Sequence, residues 1–336
     1  MKAFNTWERV LLGLLVLLLV VFGIAQPGFM SPEALADSTF NFSEKGILAL
    51  ALALLIITGE IDLSIAATLA LCSLAIGYAM RAGAGPGLMM LAALATGIVA
   101  GGINGVLVTH YKLPSIVVTI GTLSLYRGLA MVALGDKSIS GYPEVFSALG
   151  NSYVGELVGV KWLIIPIEFA ILCACALAVG LVLHRTVWGR RLYAIGANPV
   201  AARFSGIEVD RYRLALFVFA GVMAALAAIL LTGRIGSTRP NIAMGWELDA
   251  ITMVILGGVA IEGGRGSIVG TMLAVLLLGL LTFAMGMANV TGIVMSMLIG
   301  VLLIVSMVLP RMLPNLKVRF LRLKSMAGLA PKGQTP

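Results

Sequence analysis

The sequence predicts an all-α fold, a polytopic membrane protein of about ten transmembrane helices, and three observations carry that prediction. Hydrophobic residues make up 60% of the 336-residue chain and charged residues 11%, with a mean hydropathy of +1.06, which leaves too little polar surface to wrap a soluble globule. The apolar residues fall in uninterrupted runs near the length that crosses a bilayer. The basic residues, 23 Lys and Arg against 15 Asp and Glu, gather in a few breaks between those runs, as the positive-inside rule requires of cytoplasmic loops. A net charge of +8 therefore points to topology and anionic lipid headgroups, and no nucleic-acid partner is expected.

The runs follow one another in order. Val10 to Ala25 is the first, behind Lys2 and Arg9; it is longer than the core of a cleaved signal peptide and is taken as a retained helix. Gly46 to Thr58 is short, and Leu63 to Met80 follows the interruption at Gly59, Glu60, Ile61 and Asp62. Leu88 to Thr109 and Ile116 to Leu134 flank the break at Tyr111, Lys112 and Pro114. A polar stretch from Gly135 to Lys161 precedes Leu163 to Leu183. Leu214 to Leu231, Leu248 to Ile261, Ile268 to Met287 and Ile293 to Leu309 complete the count. With ten spans both termini lie on one side. That side is the cytoplasm, because residues 314–336 form a tail with basic and no acidic residues. Residues 1–313 make a single transmembrane domain.

The longest polar break, residues 185–213, carries Arg185, Arg190, Arg191, Arg203, Arg211 and Arg213 against Glu208 and Asp210. After the sixth span it also falls in the cytoplasm. Asn198 suits an N-cap, Pro199 the first helical turn and Gly206 the left-handed residue beyond the end, so a short helix is expected from Pro199 to Ser205. A helix so short is unstable alone. It must dock on its own bundle or on a partner.

Other patterns have plainer explanations. Cys72, Cys173 and Cys175 sit in apolar spans as small hydrophobes, and the i, i+2 pair points to different helix faces, so no metal is expected. Gly263, Gly264, Gly266 and Gly270 around Arg265 lack the strand that a phosphate-binding fingerprint needs, and suit a tight turn. Gly97, Gly101 and Gly105 repeat every four residues, a helix-packing pattern. His110 and His184 suit helix C-termini.

Ionisable and polar residues within spans are costly and so become candidates for a translocation path. They are Glu60, Asp62 and Ser64 at the interruption, with Ser64 a possible cap; Asn104; and Thr119, Thr122 and Arg127 on the fifth span. Glu168 is a weaker candidate. The competing explanations are solvated carboxylates in a cytoplasmic turn and an Arg127 that simply pairs with a carbonyl or carboxylate in the bundle.

Three patches resemble the permease subunits of ribose-type ABC importers: Gly59-Glu60-Ile61-Asp62-Leu63-Ser64; Gly189-Arg190-Arg191-Leu192-Tyr193-Ala194-Ile195-Gly196-Ala197-Asn198 with Ala201-Ala202-Arg203 and Ser205-Gly206-Ile207; and Glu247-Leu248-Asp249-Ala250 with Gly257-Gly258 and Gly263-Gly264-Arg265-Gly266-Ser267. Asn104-Gly105 and Tyr126-Arg127-Gly128 add to them. The resemblance implies a type II importer-like permease in the bacterial inner membrane. It would be paired with a second permease copy or paralogue, two cytoplasmic ATPase subunits and a periplasmic sugar-binding protein. It makes the second patch the ATPase-coupling loop, with Gly189, Arg190, Arg191, Tyr193, Gly196, Asn198, Ala201, Ala202, Arg203, Ser205 and Gly206 as its residues. ATP and Mg2+ would bind the ATPase, and this chain would hold no cofactor, metal or catalytic group. Members of the family more often carry a second glycine where Glu60 stands, which makes the chain more similar to the rhamnose branch. The alternative from the residues alone is an ion-coupled secondary transporter, which would need carboxylates such as Glu168, Glu60 and Asp62 inside the membrane.

Overall fold

Within a bilayer only a helix satisfies its backbone internally, and each apolar run becomes one. The computed structural model describes residues 6–160 and 162–305; the basic tail and the end of the last expected span lie outside them. In chain order the helices are α1 (Thr6–Ala25), α2 (Pro32–Phe40), α3 (Ser43–Ile57), α4 (Ile65–Arg81), α5 (Pro86–Thr109), α6 (Ser115–Leu134), α7 (Glu144–Asn151), α8 (Val154–Val158), α9 (Ile167–Arg185), α10 (Val187–Ala197), α11 (Pro199–Phe204), α12 (Val209–Ile235), α13 (Trp246–Leu256), α14 (Ile268–Met287) and α15 (Gly292–Val305). Two residues of β1 (Ile139–Ser140) pair antiparallel with β2 (Ser237–Thr238), Ile139 opposite Thr238.

Six helices are long and apolar enough to span: α1, α5, α6, α9, α12 and α14. The expected short span Gly46 to Thr58 is longer than its apolar run. It continues backwards through α2, bent by 53° at residues 41–42, and the pair makes a seventh. The polar residues that hid α2 are absorbed locally: the Ser31 hydroxyl accepts from the Ala34 N–H, and Ser38 and Thr39 donate to the carbonyls of Leu35 and Ala36. α4 and α15 are shorter apolar helices. The expected span Leu248 to Ile261 is corrected: α13 has 11 residues, about half a membrane thickness at 1.5 Å per residue. It stops at Leu256 because Gly258 takes φ +88°, and residues 257–267 follow as an irregular loop. The expectation of about ten spans thus meets six full-length helices, one bent pair and three short helices among the described residues.

α3 lies at the centre, buried on nearly every side between α9, α12, α13 and α14. α5 packs along α12, where a Cβ on Gly97 or Gly101 would overlap the carbonyls of Gly221 and Phe217. The four-residue glycine repeat is therefore a packing seam. α1 rests on α14, burying Leu11, Leu15 and Leu18 and exposing Val16, Leu17 and Val20 to the lipid side. One end of the bundle carries α10 and α11 with the breaks at 58–64, 110–114 and 257–267. The opposite end carries α7, α8 and the β pair.

Candidate energy-coupling site

The Arg-rich break is more ordered than its sequence suggested. Thr186 begins α10, its hydroxyl accepting from the Gly189 N–H at 3.3 Å, a helix that periodicity over so polar a stretch did not reveal. Asn198 ends α10 and starts α11, its Oδ1 accepting from the N–H groups of Val200 and Ala201, both at 3.0 Å. Ser205 forms the C-cap and Gly206 takes φ +81°. The expected helix is present, one residue shorter than drawn.

Its inner face holds Ile195, Ala202 and Val209 in a small core. Ala202, one of the residues of the expected coupling loop, is buried against its own chain. The outward groups are Val187, Val200, Ala201 and Phe204, the last 90% exposed, with Arg190, Arg191, Arg203 and Ser205 around them. An apolar knob ringed by cations is suited to a partner with a hydrophobic notch and an acidic rim. Several arginines are tied internally: Arg191 donates to the Tyr212 hydroxyl at 2.6 Å, and Arg203 and Lys112 share Asp210 at 3.1 and 2.6 Å.

Beneath α10, Gly189, Gly196 and Tyr193 face the bundle. A Cβ on Gly189 would overlap the Leu183 carbonyl, and one on Gly196 the Ile57 carbonyl and the Gly264 N–H. The Tyr193 hydroxyl donates to the Gly266 carbonyl at 2.7 Å; burial pushes it up to about 12, so it keeps its proton. His184 is structural, as expected, its Nε2 accepting from the Ile268 N–H at 3.3 Å.

The path candidates separate into four groups. Asp62, Ser64 and Asn104 form one buried chain: Asp62 Oδ1 accepts from the Ser64 N–H at 2.8 Å and its hydroxyl at 2.6 Å, and Asn104 Nδ2 donates to the Ser64 oxygen at 2.8 Å. Ser64 thus stands at the N-cap position of α4, as expected, but makes no side-chain cap bond, its hydroxyl being held by Asp62. Neither Asp62 nor Glu60 is solvated. Glu60 turns away from that chain and pairs with Arg213 at 2.9 Å. Thr119 donates to the carbonyls of Ser115 and Ile61 at 2.8 and 3.3 Å, whereas Thr122 returns only to its own helix, to Val118 and Thr119 at 3.1 and 3.4 Å. Arg127, towards the opposite end, donates to the carbonyls of Ile242, Pro240 and Ala66 at 2.6, 3.2 and 3.4 Å. That favours the carbonyl-pairing explanation, the guanidinium clamping the loop before α13.

The family described as "Branched-chain amino acid transport system / permease component" matches residues 35–307. The chain belongs to this family. The autoinducer 2 import system permease protein LsrD of Escherichia coli strain K12, of Escherichia coli O9:H4 strain HS and of Shigella flexneri is in each case 38% identical to it over 308 residues, 90% of this chain and 91% of the relative. The chain is therefore a membrane-embedded permease subunit of an ABC importer of the ribose-type family, and not an enzyme.

One cluster in the permease escaped sequence reasoning. Arg234, in the last turn of α12, donates to Glu44 Oε1 through Nε and a terminal nitrogen at 2.9 and 2.7 Å, and lies 3.6 Å from Glu168 Oε2. Glu44 and Glu168 are fully buried in the first turns of α3 and α9. Each charge thus sits at the helix end whose dipole favours it. Glu168 was visible as an acid in an apolar run; Glu44 and Arg234 were hidden because each fell just outside the run drawn for its span.

Proposed function

We propose that this permease pairs with a second permease, a copy or a paralogue, in the bacterial inner membrane, and that both termini and residues 185–213 face the cytoplasm. There the surface of Val187, Val200 and Phe204 receives one of two ATPase subunits that carry ATP and Mg2+. A periplasmic binding protein docks at the opposite end and releases a small polar solute into the path. The observation that carries this reading is the 38% identity over 90% of the chain.

For the solute, the relatives named for autoinducer 2 import favour that molecule, with ribose and rhamnose as the related sugars suggested by the sequence patches. Ion-coupled transport is disfavoured, because of the three carboxylates it would have to use, Glu60 and Glu168 each stand against an arginine and Asp62 is held by Ser64. The test is uptake in proteoliposomes containing the permease pair, its ATPase and its binding protein. ATP-dependent accumulation of autoinducer 2 in preference to ribose, rhamnose and leucine is expected. Preference for leucine would overturn the solute class, and accumulation driven by an ion gradient without ATPase would overturn the permease reading itself.

A further inference from the structure

We infer that residues 57–59, 193–197 and 263–266 form a backbone joint that carries movement of α10 into α3 and α13, with Tyr193 as its positioning residue; the inference rests on the importer reading above. Where α10 meets the bundle, main chain meets main chain. The Gly264 N–H donates to the Ile57 carbonyl at 2.8 Å. Gly196 lies so close to both that any side chain would overlap them, and a Cβ on Gly264 would stand 2.9 Å from the backbone of Ala197. Gly59, Gly263 and Gly264 hold φ of +80°, +86° and +73°, conformations open to glycine at little cost. Side chains in an interface can change rotamer and absorb a displacement; interlocked backbones cannot, and so transmit it.

The joint has an outlet. α13 is flanked on both sides by non-helical chain, the loop held by Arg127 before it and residues 257–267 after it. It is therefore a short rigid rod that moves as a unit when it moves. Its near end is seated by Gly257 against Gly270 and Thr271, and its far end by Asp249, which pairs with Lys45 of α3 at 2.5 Å. Movement of α10 reaches this rod through the glycine contact with residues 263–264 and through the Tyr193 hydroxyl on Gly266. Tyr193 is half-buried and its hydroxyl is turned inward onto the Gly266 carbonyl, so that hydroxyl is not part of the surface offered to the ATPase.

The deciding measurement is the number of solute molecules moved per ATP hydrolysed, in the reconstituted importer with its ATPase and binding protein, probed with autoinducer 2. Loss of stability or of docking lowers transport and hydrolysis together and leaves that ratio unchanged. Tyr193→Phe removes one hydroxyl and should lower the ratio by about fivefold, the factor that corresponds to one neutral hydrogen bond. Gly196→Ala should lower it further. A wild-type ratio in Tyr193→Phe overturns the joint, whether or not Gly196→Ala can be purified. A wild-type complex that neither recruits an ATPase nor transports would instead overturn the importer reading.

Discussion

Arg213, in the second turn of α12, holds its Nε 2.9 Å from Oε1 of Glu60, in the break between α3 and α4. The N–H is not aligned for a hydrogen bond, so the attraction is chiefly Coulombic. Both side chains are largely buried, and charge removed from water is tolerated only while its partner remains. The pair thereby ties the exit of the Arg-rich segment to the helix break between α3 and α4.

Breaking that pair from either side should expose the cost. Glu60→Gln strands a cation and Arg213→Gln strands an anion, each expected to destabilise the purified permease by about 3 kcal/mol. The double substitution should recover most of the loss. Denaturant titration in detergent reads all three, and single variants as stable as wild type would show the pair to be idle.

Arg234 faces two fully buried carboxylates with one positive charge. Removing the cation and removing the surplus acid should therefore have opposite signs. Arg234→Met leaves both acids without a counter-charge and should cost at least about 3 kcal/mol, whereas Glu168→Gln should be neutral or stabilising. Equal losses in the two variants would mean that both carboxylates are needed as anions.

The seam between α5 and α12 predicts a sharp contrast between neighbours. Gly101→Ala places a methyl into the Phe217 carbonyl and should abolish folding. Gly102→Ala, one residue on, meets nothing within 4 Å and should stabilise by up to about 1 kcal/mol through helix propensity. Yield of monodisperse protein from the membrane distinguishes them, and comparable yields would refute the close approach.

Sidedness follows from charge. A cysteine at Ser205 should react with an impermeant thiol reagent only from the cytoplasmic side, and one at Ser152 only from outside, in a cysteine-free background. The reverse pattern would invert every cytoplasmic assignment proposed for the breaks.

What the sequence made legible, it did through local chemistry. Asn198, Pro199 and Gly206 announced α11 because caps and left-handed residues act within one turn, and Gly97, Gly101 and Gly105 announced a seam because helical spacing alone puts them on one face. α2 was illegible because its hydroxyls satisfy themselves on the backbone, which no hydropathy window registers. Long-range partners were illegible in principle: Glu60 lies 153 positions from Arg213 and Glu44 lies 190 positions from Arg234, and periodicity carries no information about which buried charge meets which. The inward turn of Ala202 was missed for the same reason, since it depends on where Ile195 and Val209 fold back against it.

That inward turn separates two variants that a sequence reading would treat alike. Ala202→Glu forces a carboxylate into the core of Ile195 and Val209, so α10 and α11 should come apart and the variant should lose ATPase binding through local unfolding. Phe204→Ser changes a side chain that is 90% exposed and touches little of its own chain. It should leave proteolytic resistance of the segment unchanged, yet weaken ATPase recruitment by tenfold or more, on the order of what truncating an aromatic anchor costs an interface. Limited proteolysis and co-purification, run on both variants, read the two effects separately. ATPase recovery at wild-type levels in Phe204→Ser would show that the exposed knob is not the docking contact, and would move the partner surface to the ring of Arg190, Arg191 and Arg203.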